Sequence, residues 1–107
     1  MSNSNPSTLL ELAGGQYNQL DWSNCAIVFI DFQNEYVDGV MALGDLGAAA
    51  IANARLLLDK ARNENIPIFH IAHHGEDNGN VFDPLSSNVA IVDSLQPMDN
   101  EKTITKK

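Results

Sequence analysis

"CAIVFIDFQNEYVDG", residues 25–39, is an apolar run that changes abruptly into carboxylate and amide side chains. The run is rich in β-branched and aromatic residues and shows no alternation of polar and apolar positions. This pattern is typical of a strand that is covered on both faces, as in a parallel sheet. Asp31 follows the run directly. We therefore predict a buried strand with a carboxylate at its carboxyl end.

The chain after this strand has the pattern of a helix and then of two further strands. Apolar residues recur at helical spacing over residues 45–65, and Pro67 disfavours a longer helix. "IPIFHIA", residues 66–72, is predicted to form a second buried strand, and "KTITKK", residues 102–107, a third. Strand, helix and strand in this order form a βαβ unit. The predicted fold class is therefore α/β with a mostly parallel sheet.

Composition narrows the class of protein. The 107 residues fit one domain, residues 1–107, and the 44% hydrophobic content predicts a buried core, with disorder expected at residues 1–7. A formal charge of -8 repels phosphate backbones, so we expect no nucleic-acid partner. There is one cysteine, no basic and apolar leader, and no apolar stretch of the ~20 residues that span a bilayer. We expect a cytoplasmic protein with no membrane partner.

Polar side chains stand at the ends of all three predicted strands. Ligands of parallel sheets bind beyond the carboxyl ends of the strands. Asp31 ends the first strand, His70, His73 and His74 lie at or just past the end of the second, and Lys106 lies near the end of the third. An Asp at such a position is functional more often than structural. We predict that these groups face one crevice.

The single cysteine lies at the other end of the first strand. Six extended residues at ~3.3 Å each place Cys25 about 20 Å from Asp31, too far for the two side chains to share a proton. We interpret Cys25 as a small, buried or half-buried thiol.

Other chemistries have weaker support. Aspartyl-phosphate phosphatases need a second Asp two residues after the first, where this chain has Gln33. Glycine-rich phosphate loops and the G-x-S-x-G nucleophile elbow are absent, as are the H-x-H and H-E-x-x-H metal spacings. A metal-dependent hydrolase that uses Asp31 and the loop histidines stays open as an alternative.

Four segments, taken in order, resemble the first half of isochorismatase-like cysteine hydrolases. They are "IVFIDFQNEYVDG", "NARLLLDKARNENIPIFHIAHHG", "VFDP" and "LQPMDNEKTITK", and together they extend over roughly residues 25–107. The resemblance implies a three-layer α/β/α sandwich around a mostly parallel sheet, of which this chain holds the N-terminal part. It also implies a hydrolase in which a cysteine attacks a small amide or related C–N bond, an Asp is the general base and a Lys assists.

The resemblance assigns roles to particular residues. Asp31 matches the base, and Lys106 matches the lysine, with Lys107 open as the alternative. Tyr36 matches an aromatic position of the pocket. The candidate substrate-pocket residues are Gln33, Tyr36, His74 and Phe82.

The nucleophilic cysteine of this family lies further along than Lys107. We therefore expect a truncated chain that is inactive alone, acts on a small molecule when complete, and binds no metal or cofactor. It would form a homo-oligomer or pair with its C-terminal half. The alternative of another class is a non-catalytic assembly module of the same fold.

Overall fold

The sheet has three parallel strands. The computed structural model describes residues 7–15 and 19–107, so the disorder expected at residues 1–7 lies, apart from Ser7, outside the described residues. The strands are β1 (Ile27–Ile30), β2 (Ile68–His73) and β3 (Lys102–Lys106), and β2 lies in the centre. Both pairings are parallel, with Ile30, Ile71 and Ile104 in register. This arrangement confirms the predicted α/β fold class and places the carboxyl ends of the strands along one edge.

A long helix provides the crossover between β1 and β2. A short helix α1 (Leu9–Leu12) precedes β1, and α2 extends over Gly44–Asn63, close to the predicted residues 45–65. The helix ends earlier than predicted because Asn65 takes a left-handed conformation, with φ of 56°. The Ile66 N–H then donates to the Ala61 carbonyl at 2.9 Å, which closes the last turn in a Schellman motif.

The hydrophobic core lies between α2 and one face of the sheet. The 3-10 turn Asp93–Leu95 packs into the same core, and the region between β2 and β3 otherwise contains only the 3-10 turn Ser87–Val89. Within residues 7–15 and 19–107, no helix is long and apolar enough to cross a membrane. The buried apolar side chains of the core cluster are Phe29, Ala54, Leu58, Ala61, Ile66, Ile68, Val92 and Leu95.

The opposite face of the sheet is uncovered by the described chain. Val28, Ile30 and Ile104 expose 47%, 56% and 42% of their surface, and every residue of β3 is exposed. The prediction that β1 is covered on both faces is therefore wrong for this chain. The physical reason is that α2 covers one face, and the short turn Asp93–Leu95 joins it there instead of crossing to the other side.

Candidate active site

Asp31 is placed by the end of β1. Its backbone N–H donates to the Ile71 carbonyl at 2.9 Å, which continues the parallel ladder by one residue. Its φ of 62° then ends the strand in a left-handed conformation that Asp tolerates better than most residues. Strained backbone of this kind is concentrated at functional sites.

The two oxygens of the Asp31 carboxylate have different surroundings. Oδ2 accepts a hydrogen bond from Lys106 Nζ at 3.2 Å, across the central strand from β3. Oδ1 is buried and has no hydrogen-bond donor among the described residues. A buried acceptor without a protein donor is rare in folded proteins, so the two oxygens of this carboxylate are not equivalent.

The lysine that approaches Asp31 is Lys106. Lys107, the alternative one residue along, instead borders a second cavity beyond the end of β2. Lys106 is the last residue of β3 and pairs with His73, the last residue of β2, so it lies at the carboxyl edge of the sheet, where β1 also ends.

Asp31 borders an apolar cavity of about 300 Å³. The walls come from the end of β1, the turn that follows it and the beginning of α2, and Asp31 is the only charged residue among the described residues that line them. The lining residues are Ile30, Asp31, Phe32, Gln33, Tyr36, Leu43, Gly47, Ala50 and Ile51. In such surroundings a carboxylate interacts more strongly with a partner than it would in water.

Gln33 borders this cavity, but its side chain is turned inward and is fully buried. Both amide hydrogens are donated to backbone carbonyls, to His73 at 2.8 Å and to Val89 at 2.7 Å. Its Oε1 accepts from the His73 N–H at 2.8 Å. Gln33 therefore ties together the ends of β1 and β2 and the following loop, and no amide hydrogen is left for a substrate.

The other pocket candidates lie in different places. Tyr36 borders the cavity beside Asp31. Phe82 is buried behind it, with its ring edge-on to Tyr36 at 5.5 Å and to His73 at 5.0 Å. His74 borders the second, more polar cavity of about 610 Å³ together with His73. The structure therefore brings Asp31 together with Lys106 and Tyr36, and leaves His74 outside that group.

The histidines do not form a metal site within residues 7–15 and 19–107, because no three His, Cys, Asp or Glu side chains there could hold a common ion. His70 lies inside β2 and is buried in the core, where its ring stacks on Phe29, so the prediction that it faces the crevice is wrong. Its Nε2 lies 2.8 Å from Glu101 Oε1.

Glu101 is the centre of a buried charged cluster that sequence reasoning missed. Besides His70, it accepts two hydrogen bonds from Arg62, at 2.7 and 3.0 Å, and one from the Met98 N–H at 3.2 Å. The hydrogen bonds from Arg62, followed by those from His70 and Met98, lower the pKa of Glu101 from 4.5 to about 2 despite its burial. The hydrogen bonds to Glu101 in turn raise the pKa of Arg62. An isolated Glu before a strand gave no signal of this role.

Glu35 is a second buried carboxylate that sequence reasoning missed. It lies in the 3-10 turn Asn34–Tyr36 and exposes 1% of its surface. Its oxygens accept hydrogen bonds from the backbone N–H groups of Val40 and Phe82. Only the nearby Gly39 hints at this arrangement in the sequence, because a glycine leaves space for a side chain folded back onto the backbone.

Cys25 is remote from all of these groups. It is half-buried before the start of β1, where its thiol donates to the Trp22 carbonyl at 3.7 Å. The thiol packs against the hydrophobic core at the end of the strand opposite to Asp31.

Comparison with known sequences identifies similar proteins. The family model "Isochorismatase domain" matches residues 25–107. The isochorismatase family protein YddQ of Bacillus subtilis is 40% identical over 83 residues, which are 76% of this chain and 46% of that protein. The secreted isochorismatase effector Isc1 of Verticillium dahliae is 32% identical over 80 residues, which are 75% of this chain and 42% of the effector. The chain thus spans less than half the length of either relative.

Comparison with solved structures agrees. An isochorismatase from Pseudomonas putida superposes with a TM-score of 0.84 at 34% identity, over 95% of this chain and 52% of that one. N-carbamoylsarcosine amidase from Thermoplasma acidophilum superposes with a TM-score of 0.65 at 19% identity, over 76% of this chain and 50% of the amidase. The second match supports the fold alone.

Proposed function

This chain belongs to the isochorismatase family, and from that membership we propose that it carries the proton-transfer half of a cysteine hydrolase site for a small amide or related C–N bond. The Asp31 carboxylate is the observation that carries the proposal. One oxygen is paired with Lys106, and the other is buried without a donor among the described residues. A thiol or a water next to Oδ1 would complete the hydrogen bonding of the carboxylate, and Oδ1 could then accept its proton.

The proposed reaction has two steps. A cysteine thiol passes its proton to Asp31 while its sulfur forms a bond to the substrate carbonyl carbon. The tetrahedral intermediate collapses as the C–N bond breaks, and the departing nitrogen takes the proton from Asp31, which leaves a thioester. A water then attacks the thioester carbon and gives a proton to Asp31. The C–S bond breaks, the sulfur regains that proton, and the carboxylic acid leaves.

Lys106 supports these proton transfers through its charge. Its ammonium, 3.2 Å from Asp31 Oδ2, offsets negative charge on the carboxylate side of the site. It also favours the geometry in which Oδ1, and not Oδ2, receives the proton, because Oδ2 is already a hydrogen-bond acceptor.

The nucleophile is proposed to come from outside these 107 residues. Cys25 is the only cysteine. It precedes β1, at the opposite end of the strand from Asp31, and its thiol donates a hydrogen bond to the Trp22 carbonyl. We propose that the 107-residue chain alone is inactive and that catalysis needs a cysteine from further polypeptide. The greater length of the relatives supports this division.

The cavity supports a small, uncharged substrate. Apart from Asp31, its lining residues are apolar or neutral, and Gln33 has no amide hydrogen to offer. A substrate carboxylate next to Asp31 would be repelled, whereas an amide N–H could donate to it. No metal or cofactor enters the proposed reaction.

An amide panel tests the proposal. Ammonia or amine release is measured for the 107-residue chain, for a longer form that continues the reading frame past Lys107, and for Cys25→Ser in both. We expect turnover only by the longer form, unaffected by Cys25→Ser. Turnover by the 107-residue chain that survives Cys25→Ser would contradict the proposed need for a further cysteine.

A second candidate function is a non-catalytic assembly module. The uncovered sheet face, with Val28, Ile30 and Ile104 exposed, favours it, because patches of this kind usually mark contact surfaces. In a hydrolase, the rest of a protein as long as the relatives would cover this face; in an assembly module, a second copy would. Size-exclusion chromatography with light scattering tests both proposals. A stable monomer of the 107-residue chain would show that the sheet face needs neither further polypeptide nor a second copy to cover it.

The cellular location is part of the same proposal. The single cysteine is compatible with a reducing compartment, so we propose a cytoplasmic protein. Fractionation of producing cells checks this, and recovery in the medium would overturn it. That outcome has a precedent in the name of the Verticillium relative, a secreted effector.

A further inference from the structure

Glu35 joins two loops next to the cavity that Asp31 borders. Its Oε1 accepts from the Phe82 N–H at 2.6 Å, and its Oε2 accepts from the Val40 N–H at 2.9 Å. The carboxylate exposes almost none of its surface and has no cationic partner among the described residues. Burial of a carboxylate is unfavourable unless hydrogen bonds offset the loss of water, and here two backbone N–H groups from separate loops supply them.

The backbone around the carboxylate is shaped to receive it. A Cβ at Gly39 would lie 1.8 Å from Glu35 Oε2, so only glycine leaves the carboxylate its place. Phe82 takes a left-handed conformation with φ of 51°, which is unfavourable for an aromatic residue and is held by its hydrogen bond to Glu35. The glycine and the left-handed Phe82 thus both fit a carboxylate that is buried against the backbone.

These contacts lead to the cavity wall. The Phe82 ring packs edge-on against Tyr36, and the Leu43 N–H donates to the Tyr36 carbonyl at 2.9 Å. Tyr36 and Leu43 both border the cavity beside Asp31. We infer that Glu35 is a positioning residue, which sets the shape of that cavity by holding the turn 37–43 and the loop 74–86 together. We call this pair of hydrogen bonds, from Val40 and Phe82 to Glu35, the clamp. An effect of the clamp on substrate binding rests on the proposed function, whereas the clamp itself does not.

Amide hydrogen exchange on the 15N-labelled 107-residue chain tests the clamp. Glu35→Gln places an amide hydrogen against at least one of the two backbone N–H groups. We expect exchange at Phe82 or Val40 to become at least about tenfold faster, with shifted Tyr36 ring and Leu43 methyl signals. Exchange at Leu58 in the core should change much less. Glu76→Gln, which removes the same charge from an exposed position of the loop, is the matched control and should leave all of these signals unchanged.

Gly39→Ala gives an independent test in case Glu35→Gln does not fold. The new methyl displaces the carboxylate without changing any charge, so the same local loss of protection is expected. The effect of Gly39→Ala should shrink in a Glu35→Ala background, although a contact of 2.7 Å to the Glu35 carbonyl oxygen keeps part of it. Unchanged exchange at Phe82 and Val40, or an equal loss at Leu58, would overturn the inference. Neither readout needs hydrolase activity, so failure of the clamp and failure of the proposed function are distinguishable.

Discussion

Two carboxylates paired with cations show how one type of group is used in two ways. Glu101, in the core, has 2% of its side chain exposed, and both of its oxygens are occupied by Arg62, His70 and the Met98 N–H. Asp31, at the carboxyl edge, has one oxygen on a half-exposed lysine and the other without a donor among the described residues. The satisfied carboxylate holds the fold together, whereas the unsatisfied one is the base that we propose for proton transfer.

Glu101→Ala should produce the largest loss of stability. It removes three side-chain hydrogen bonds, leaves the buried His70 without its acceptor, and leaves the partly buried Arg62 with the Gln96 carbonyl but no carboxylate. We expect the free energy of unfolding in urea to fall by about 3 to 5 kcal/mol. Glu64→Ala, which breaks only an exposed pair with Lys60, should change it by less than about 1 kcal/mol. Similar losses for the two variants would break the contrast between buried and exposed pairs.

The pH dependence of stability should report the same cluster. The pKa of Glu101 is lower in the folded chain, about 2, than its ordinary value of 4.5. Its contribution is therefore complete above about pH 4.5 and is lost as the pH falls toward 2, an effect of up to about 3 kcal/mol. Urea unfolding at several pH values checks this. Glu101→Gln should flatten the curve in this window, and parallel curves would contradict the assignment.

Gln33→Ala should come next in size. It leaves two backbone carbonyls and the His73 N–H without their partner inside the protein. We expect a loss of about 2 kcal/mol in the free energy of unfolding. The exposed Gln19→Ala is the control and should be close to neutral. If Gln33→Ala left the free energy of unfolding unchanged, the structural role of Gln33 would be wrong, and its prediction as a substrate-pocket residue would stand again.

Asp31→Asn should have the smallest effect on stability. Asn tolerates the left-handed backbone at this position, and the lost pair with Lys106 is partly exposed. We expect the free energy of unfolding to change by less than about 1 kcal/mol. A loss as large as that of Glu101→Ala would mean that Asp31 is structural after all.

The elements and the meeting of Asp31 with Lys106 could be predicted from the sequence. Hydrophobic runs and helical spacing locate the strands and α2, and the carboxyl ends of neighbouring parallel strands must lie at one edge. The inward turn of Gln33 could not be predicted, nor could the clamp by Glu35, because both depend on loop conformations that no periodicity encodes. The apolar run of β1 reads the same whether its second face is covered or open, which is why that prediction was wrong.

We propose that Asp31 serves proton transfer and does not stabilise the fold. The most direct test is Asp31→Asn in the longer form that carries a cysteine beyond Lys107, with amide turnover and the free energy of unfolding measured on the same samples. We predict that turnover falls at least about 100-fold while stability stays within about 1 kcal/mol, and that the exposed Asp99→Asn changes neither. Turnover by Asp31→Asn within a few-fold of the unchanged protein would contradict the assignment of Asp31 as the base.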